Sequence, residues 1–139
     1  MKEQNFKNHT RLVPLFHFVL GAIVITVLIL SVINLFSGIS LPSVMFLLMA
    51  LAFVIAFVFI RNFPIAAQDR AIRAEENLRY FVLTGKLYDN RLTKQQIIAL
   101  RFAPDDEVVA LADRALEENM SNPDIKKAIK NWRADHHRA

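Results

Sequence analysis

The sequence predicts an all-α protein, a transmembrane helical hairpin followed by a cytoplasmic bundle of about four helices. Three observations carry this expectation. Residues 13–60 contain no Asp, Glu, Lys or Arg, whereas residues 61–139 hold 14 basic and 12 acidic residues. The uncharged stretch divides into two apolar runs, 13–36 and 41–60, around the turn-forming Ser37, Gly38, Ile39 and Ser40. Beyond residue 60 apolar residues recur at helical spacing, and no stretch alternates with the period of two that marks a strand. A hydrophobic content of 54% with a mean hydropathy of +0.29 is too apolar for an ordinary soluble domain of this length.

Residues 1–12 form a short basic tail, with Lys2, Lys7 and Arg11 against Glu3. The first apolar run has 24 residues. As a helix it rises about 36 Å, enough to cross a hydrocarbon core of about 30 Å. It exceeds the apolar segment of a signal peptide and no small-residue cleavage pattern follows it, so it reads as a retained span. His17 and Asn34 lie near its two ends, where interfacial depth accommodates a polar group or an interhelical hydrogen bond forms. In the second run Ser40 and Pro42 suit a helix start. Ala52 and Ala56 make a small-xxx-small pair that allows close helix packing. Basic residues flank both outer ends of the hairpin, Arg61, Arg70 and Arg73 on the second side, and the turn carries no charge. Both termini are therefore expected on the cytoplasmic side.

Residues 61–139 read as a helical domain. Pro64 ends or kinks the second span, and a charged helix then runs to about Thr84, closed by Gly85. Ala67, Ala71, Ala74, Leu78 and Phe81 recur at spacings of 4, 3, 4 and 3, a narrow heptad-like seam. The seam is expected to meet the rest of the domain, a second copy, or a partner helix. Arg70 and Arg73 flank it. Three short helices follow. Thr93 with Gln96 makes a capping-box pattern, Asp105, Asp106 and Glu107 suit a first helical turn, and Asn122 with Pro123 suits a third start. The last helix, read through to the C-terminal residues, would place Lys126, Lys127, Lys130 and Arg133 on one basic face.

The residue types needed for chemistry are sparse. There is no cysteine, which excludes thiolate metal sites, disulfides and cysteine nucleophiles. His136 and His137 are adjacent, so on a helix they diverge by about 100° and do not form the i, i+4 pair of a metal site. With three glycines, dispersed as Gly21, Gly38 and Gly85, there is no phosphate-binding loop. No enzyme, cofactor, metal site or small-molecule substrate is expected. The near-balanced charge after residue 60 argues against nucleic acid; the basic face suits anionic lipid or an acidic protein surface. Two spans without charge also leave no ion or proton pathway, and two spans cannot enclose a substrate channel.

Four stretches, residues 2–18, 68–87, 92–107 and 125–138, resemble a family of small bacterial two-span membrane proteins of unknown function, and they fall in the same order along nearly the whole chain. The resemblance implies a bacterial cytoplasmic membrane protein with this layout and supplies no activity or catalytic residue. Some members carry a permease label, which uncharged spans do not favour. The expected role is a non-enzymatic scaffold or accessory subunit that binds another membrane protein or a second copy. The contact residues would be Ala67, Arg70, Ala71, Arg73, Ala74 and Leu78. The alternative is a membrane-tethered lipid sensor that uses the basic helix.

Overall fold

The computed structural model describes residues 4–9 and 12–135. Among these residues it is all-helical, with five helices and no strand. They are α1 (Leu15–Ser37), α2 (Leu41–Thr84), α3 (Lys94–Leu100), α4 (Asp105–Glu117) and α5 (Asn122–Ala128). The chain divides into two compact units, Arg11–Ile65 and a second one that joins Met1–Thr10 to Ala66–Ala139. Helix α2 contributes to both.

The first unit is a helical hairpin. α1 and α2 are long and apolar enough to cross a membrane, and few side chains of their apolar stretches are buried within the chain. That distribution is the reverse of a soluble protein's core helix, which hides its apolar side chains. The residues that are buried are small: Gly21, Ser31, Ser43 and Ala50. A Cβ built on Gly21 would lie 3.6 Å from Phe57 Cζ, and Phe57 itself stacks on Phe16 at 4.6 Å between ring centroids. Small residues therefore let the two helices approach, as expected where no hydrophobic effect drives association. Ala52 and Ala56 are not part of this contact, since both face outward.

Polar groups in the hairpin are mostly satisfied locally. Leu15–Leu20 winds as a wider π-helical turn after Pro14. There His17 Nδ1 lies 2.9 Å from Val13 O and 3.1 Å from Val13 N, covering backbone groups at the helix start. Ser31 Oγ donates to Leu28 O at 2.8 Å. At the turn, Ser40 N donates to Ser43 Oγ at 2.8 Å and Ser43 N to Ser40 Oγ at 3.3 Å, a reciprocal cap that starts α2.

Pro64 does not end the second helix. It lies inside α2, which continues to Thr84. A proline removes one backbone bond and normally costs about 3 kcal/mol in a helix interior; the apolar run before it and the packed face after it offset that loss. Gly85, at φ 73°, then closes the helix by donating its N–H to Phe81 O at 2.7 Å.

In the second unit α3, α4 and α5 pack around Leu100, Phe102, Val108, Ala115 and Ile125, each with almost no exposed surface. The capping box is formed as its sequence indicates, with Gln96 N donating to Thr93 Oγ1 at 3.3 Å and Thr93 N to Gln96 Oε1 at 2.7 Å. Gln96 also donates through Nε2 to Met120 O at 2.9 Å, tying α3 to the α4–α5 connection. Asn119, at φ 48°, takes the left-handed position after α4.

The last helix departs from expectation. Its cap is Ser121, whose hydroxyl accepts from Asp124 N, and it stops at Ala128, where Ile129 turns to extended backbone. The chain leaves the helical path because Ile129 is buried in the core, and Arg133 N donates to Phe102 O at 2.7 Å. Trp132 rests against Phe102 with ring centroids 4.8 Å apart.

Candidate partner interface

Within the second unit, α2 beyond residue 65 has two unlike faces. At 100° per residue, Ala67, Ala71, Ala74, Leu78 and Phe81 lie within about 40° of one line along the helix. All five are exposed, Leu78 at 64% and Phe81 at 49% of their full surface, and Val82 beside them at 75%. These are large values for apolar side chains in a folded helical unit. The seam does not meet its own domain.

The domain instead holds the opposite face, and does so largely through charge. Ile72 and Glu76 are buried there, and Asp69, Arg79 and Tyr80 are half-buried. Arg79 Nη1 donates to Glu76 Oε2 at 2.9 Å, and its Nη2 donates to Ala103 O at 2.8 Å and reaches Asp105 Oδ1 at 2.6 Å. Burial acts to lower the Arg79 pKa, but the hydrogen bonds and charges of Asp105 and Glu76 outweigh it and the net shift is upward. Glu76 Oε1 also accepts from Arg133 Nη1 at 3.3 Å, and Lys94 Nζ pairs with Asp69 Oδ2 at 3.1 Å. Next to this cluster Arg101 Nε donates to Asp135 Oδ2 at 2.9 Å. Burial lowers the Arg101 pKa, with Asp135 acting against it.

These charges line a cleft of about 360 Å³ between Ile72, Glu76, Arg101 and Arg133. Two pairs, Glu76 with Arg133 and Arg101 with Asp135, account for all its lining charges but Glu75, so the cleft reads as the packed seam of α2 on its domain. A second cleft, of about 460 Å³, lies by Tyr80 and Tyr88, whose rings stack at 4.1 Å. Among the described residues the buried Tyr88 hydroxyl has no hydrogen-bond partner, and burial with the nearby Glu76 charge pushes its pKa up.

Of the flanking arginines, Arg70 lies about 60° from the seam line and Arg73 about 120° from it, so only Arg70 borders the strip. Both are exposed.

The expected basic face of the last helix is not a face. Lys126 and Lys127 lie on α5, but Lys130 and Arg133 come after its end. Their partners also differ. Lys126 Nζ lies 3.2 Å from His9 Nε2, and Lys127 Nζ sits over the Phe6 ring, 5.7 Å from its centroid. Lys130 N donates to the Glu107 carboxylate at 3.2 Å, while Arg133 pairs with Glu76. Sequence reasoning missed this because helical periodicity was extended past Ile129, whose burial ends the helix.

It also missed the docking of residues 4–9 on the same unit. Asp135 N donates to Gln4 Oε1 at 2.8 Å, and the His9 ring lies 5.7 Å from Trp132 and 5.8 Å from Phe102. A short polar tail carries no periodicity that would have announced these contacts. Lys2 and Arg11, part of the basic flank, and the adjacent His136 and His137 lie outside the described residues. Among the described residues, no three His, Asp or Glu side chains are grouped so as to hold a metal ion.

No curated protein and no solved structure matches this chain. A family model does, over residues 1–139, and its description is a family of unknown function (DUF6526). The expected resemblance to an uncharacterised family is thereby met, and the chain belongs to that family of unknown function, DUF6526.

Proposed function

We propose that this protein is a non-enzymatic scaffold or accessory subunit of a bacterial inner-membrane complex. Its hairpin sits in the bilayer with both termini cytoplasmic, and its helical unit presents the α2 seam to a protein partner. The observation that carries this reading is the uncovered strip Ala67, Ala71, Ala74, Leu78 and Phe81, half a turn from the face that holds the domain. Exposed apolar patches on folded units mark interaction surfaces. Small side chains at its membrane-proximal end allow a second helix to approach closely, as in a coiled-coil seam. The positive residues on both outer flanks of the hairpin support the orientation.

The alternative, a lipid sensor that uses a basic helix, draws less support. The four basic side chains do not share one helical face, and Lys126 and Arg133 already have partners within the unit. The test is the native mass of the full-length protein extracted with its surrounding lipid, with every co-purifying subunit identified. A defined assembly larger than one chain supports the accessory reading. A monomer that binds anionic vesicles in a salt-sensitive way would replace it with the lipid-sensor reading.

A further inference from the structure

We infer that the partner of the α2 seam is a second copy of this chain, packed parallel and in register. This rests on the reading of the seam as an assembly surface and names its occupant. With Ala71 and Leu78 as a positions and Ala67, Ala74 and Phe81 as d positions, the heptad places Arg70 at g and Glu75 at e. In a parallel pair a g residue meets the e residue five positions later on the other helix. Arg70 of each copy therefore faces Glu75 of the other, giving two opposite-charge pairs related by the twofold axis. Both residues are exposed, and among the described residues neither forms an ion pair within its own chain.

Parallel alignment follows from insertion of both hairpins in one orientation. The next g–e pair, Asn77 with Val82, introduces no like charge, so nothing in the register opposes it. Leu78, Phe81 and Val82 supply the large apolar surface that the pairing would remove from water. An antiparallel pair would instead bring the alanine end of one helix against the Leu78 and Phe81 end of the other, and would lose both ion pairs.

The absence of native cysteine makes the test direct. Single Ala74→Cys and Leu78→Cys variants of the full chain are oxidised in membranes with mild oxidant, with Arg73→Cys as the exposed position off the seam. The inference expects disulfide-linked dimers at 74 and 78 and few at 73. In the Leu78→Cys background, Arg70→Glu or Glu75→Arg alone places like charges together and lowers dimer yield about fivefold. The double reversal, Arg70→Glu with Glu75→Arg, restores it.

The inference is overturned by equal cross-linking at all three positions, by no rescue by the double reversal, or by cysteines that couple only to another protein. The last leaves the accessory-subunit reading standing, which separates the two proposals. Absence of any cross-link at 74 and 78, with retained labelling of both cysteines by maleimide, points to a seam covered by nothing or by lipid and also overturns it.

Discussion

On one side of α2 beyond residue 65, Asp69, Ile72, Glu76 and Arg79 are held by the helical domain; on the other, Ala67, Ala71, Ala74, Leu78 and Phe81 stand exposed. The held side is mostly charged, with Ile72 and Tyr80 among its charges, and the exposed side apolar, the reverse of an ordinary amphipathic helix. An ion-paired face tolerates few alternative arrangements, because each buried charge needs its own counter-charge. It positions α2 with specificity rather than with large net stabilisation. An apolar face is indifferent to the identity of its partner and gains from any complementary surface. The difference teaches that the domain uses its charged contacts to aim the apolar seam outward.

The comparison breaks most severely if the domain itself is lost. Phe102→Ala removes a side chain that is fully buried beneath Trp132. It should destabilise the helical unit by about 3–5 kcal/mol. Amide hydrogen exchange of Leu100 and Leu111 in the full-length protein would show the faster opening, while the hairpin amides keep their protection.

The held face is tested by Glu76→Gln, which leaves Arg133 without its carboxylate and Arg79 with Asp105 as its one carboxylate partner. The expected loss is about 2 kcal/mol, below that of a wholly buried pair because Arg133 is half-exposed. Exchange of the α2 amides beyond residue 65 should rise with it. Unchanged exchange there would mean that the ion pairs do not hold α2. A smaller effect, about 1 kcal/mol, is expected at the α3 cap from Thr93→Ala, read by exchange of the first α3 amides.

The exposed face should respond in the opposite way. Ala71→Gln with Ala74→Gln touches no packed residue, so stability of the unit should change by less than about 0.5 kcal/mol. The native mass, however, should fall to that of one chain, with membrane insertion intact.

The smallest effect concerns pH. Arg91 binds the Asp89 carboxylate through its side chain and its own N–H, holding the carboxyl at about 2 against an ordinary 3.8. Because the folded value is the lower one, this pair stabilises the loop above the ordinary value. That contribution is lost as pH falls from about 4 through 2. A carbon-detected titration of Asp89 should give a midpoint near 2, moving up toward 3.8 in Arg91→Ala.

Much of this architecture is legible in the sequence. The uncharged runs and the turn between them give the hairpin, and Thr93 with Gln96 gives the α3 start, because local chemistry decides both. The seam residues are also legible as a set, but not the direction in which they point. Periodicity locates a stripe on a helix without saying what covers it, and here the competing face, through Glu76 and Arg79, relies on partners 24 or more residues away. The break at Ile129 and the docking of Gln4 and His9 are tertiary effects of the same kind. Of the two outcomes expected at Pro64, an end or a kink, the end does not occur, since α2 runs through it.

The central claim, that the seam is covered in the assembled protein, is tested most directly by thiol accessibility. Ala74→Cys in native membranes opened to reagent on both faces is labelled with maleimide before and after the assembly is dissociated by detergent, beside Arg73→Cys. The account predicts that position 74 is protected in the membrane and reactive after dissociation, while position 73 reacts in both states. Equal reactivity of position 74 before and after dissociation would contradict it.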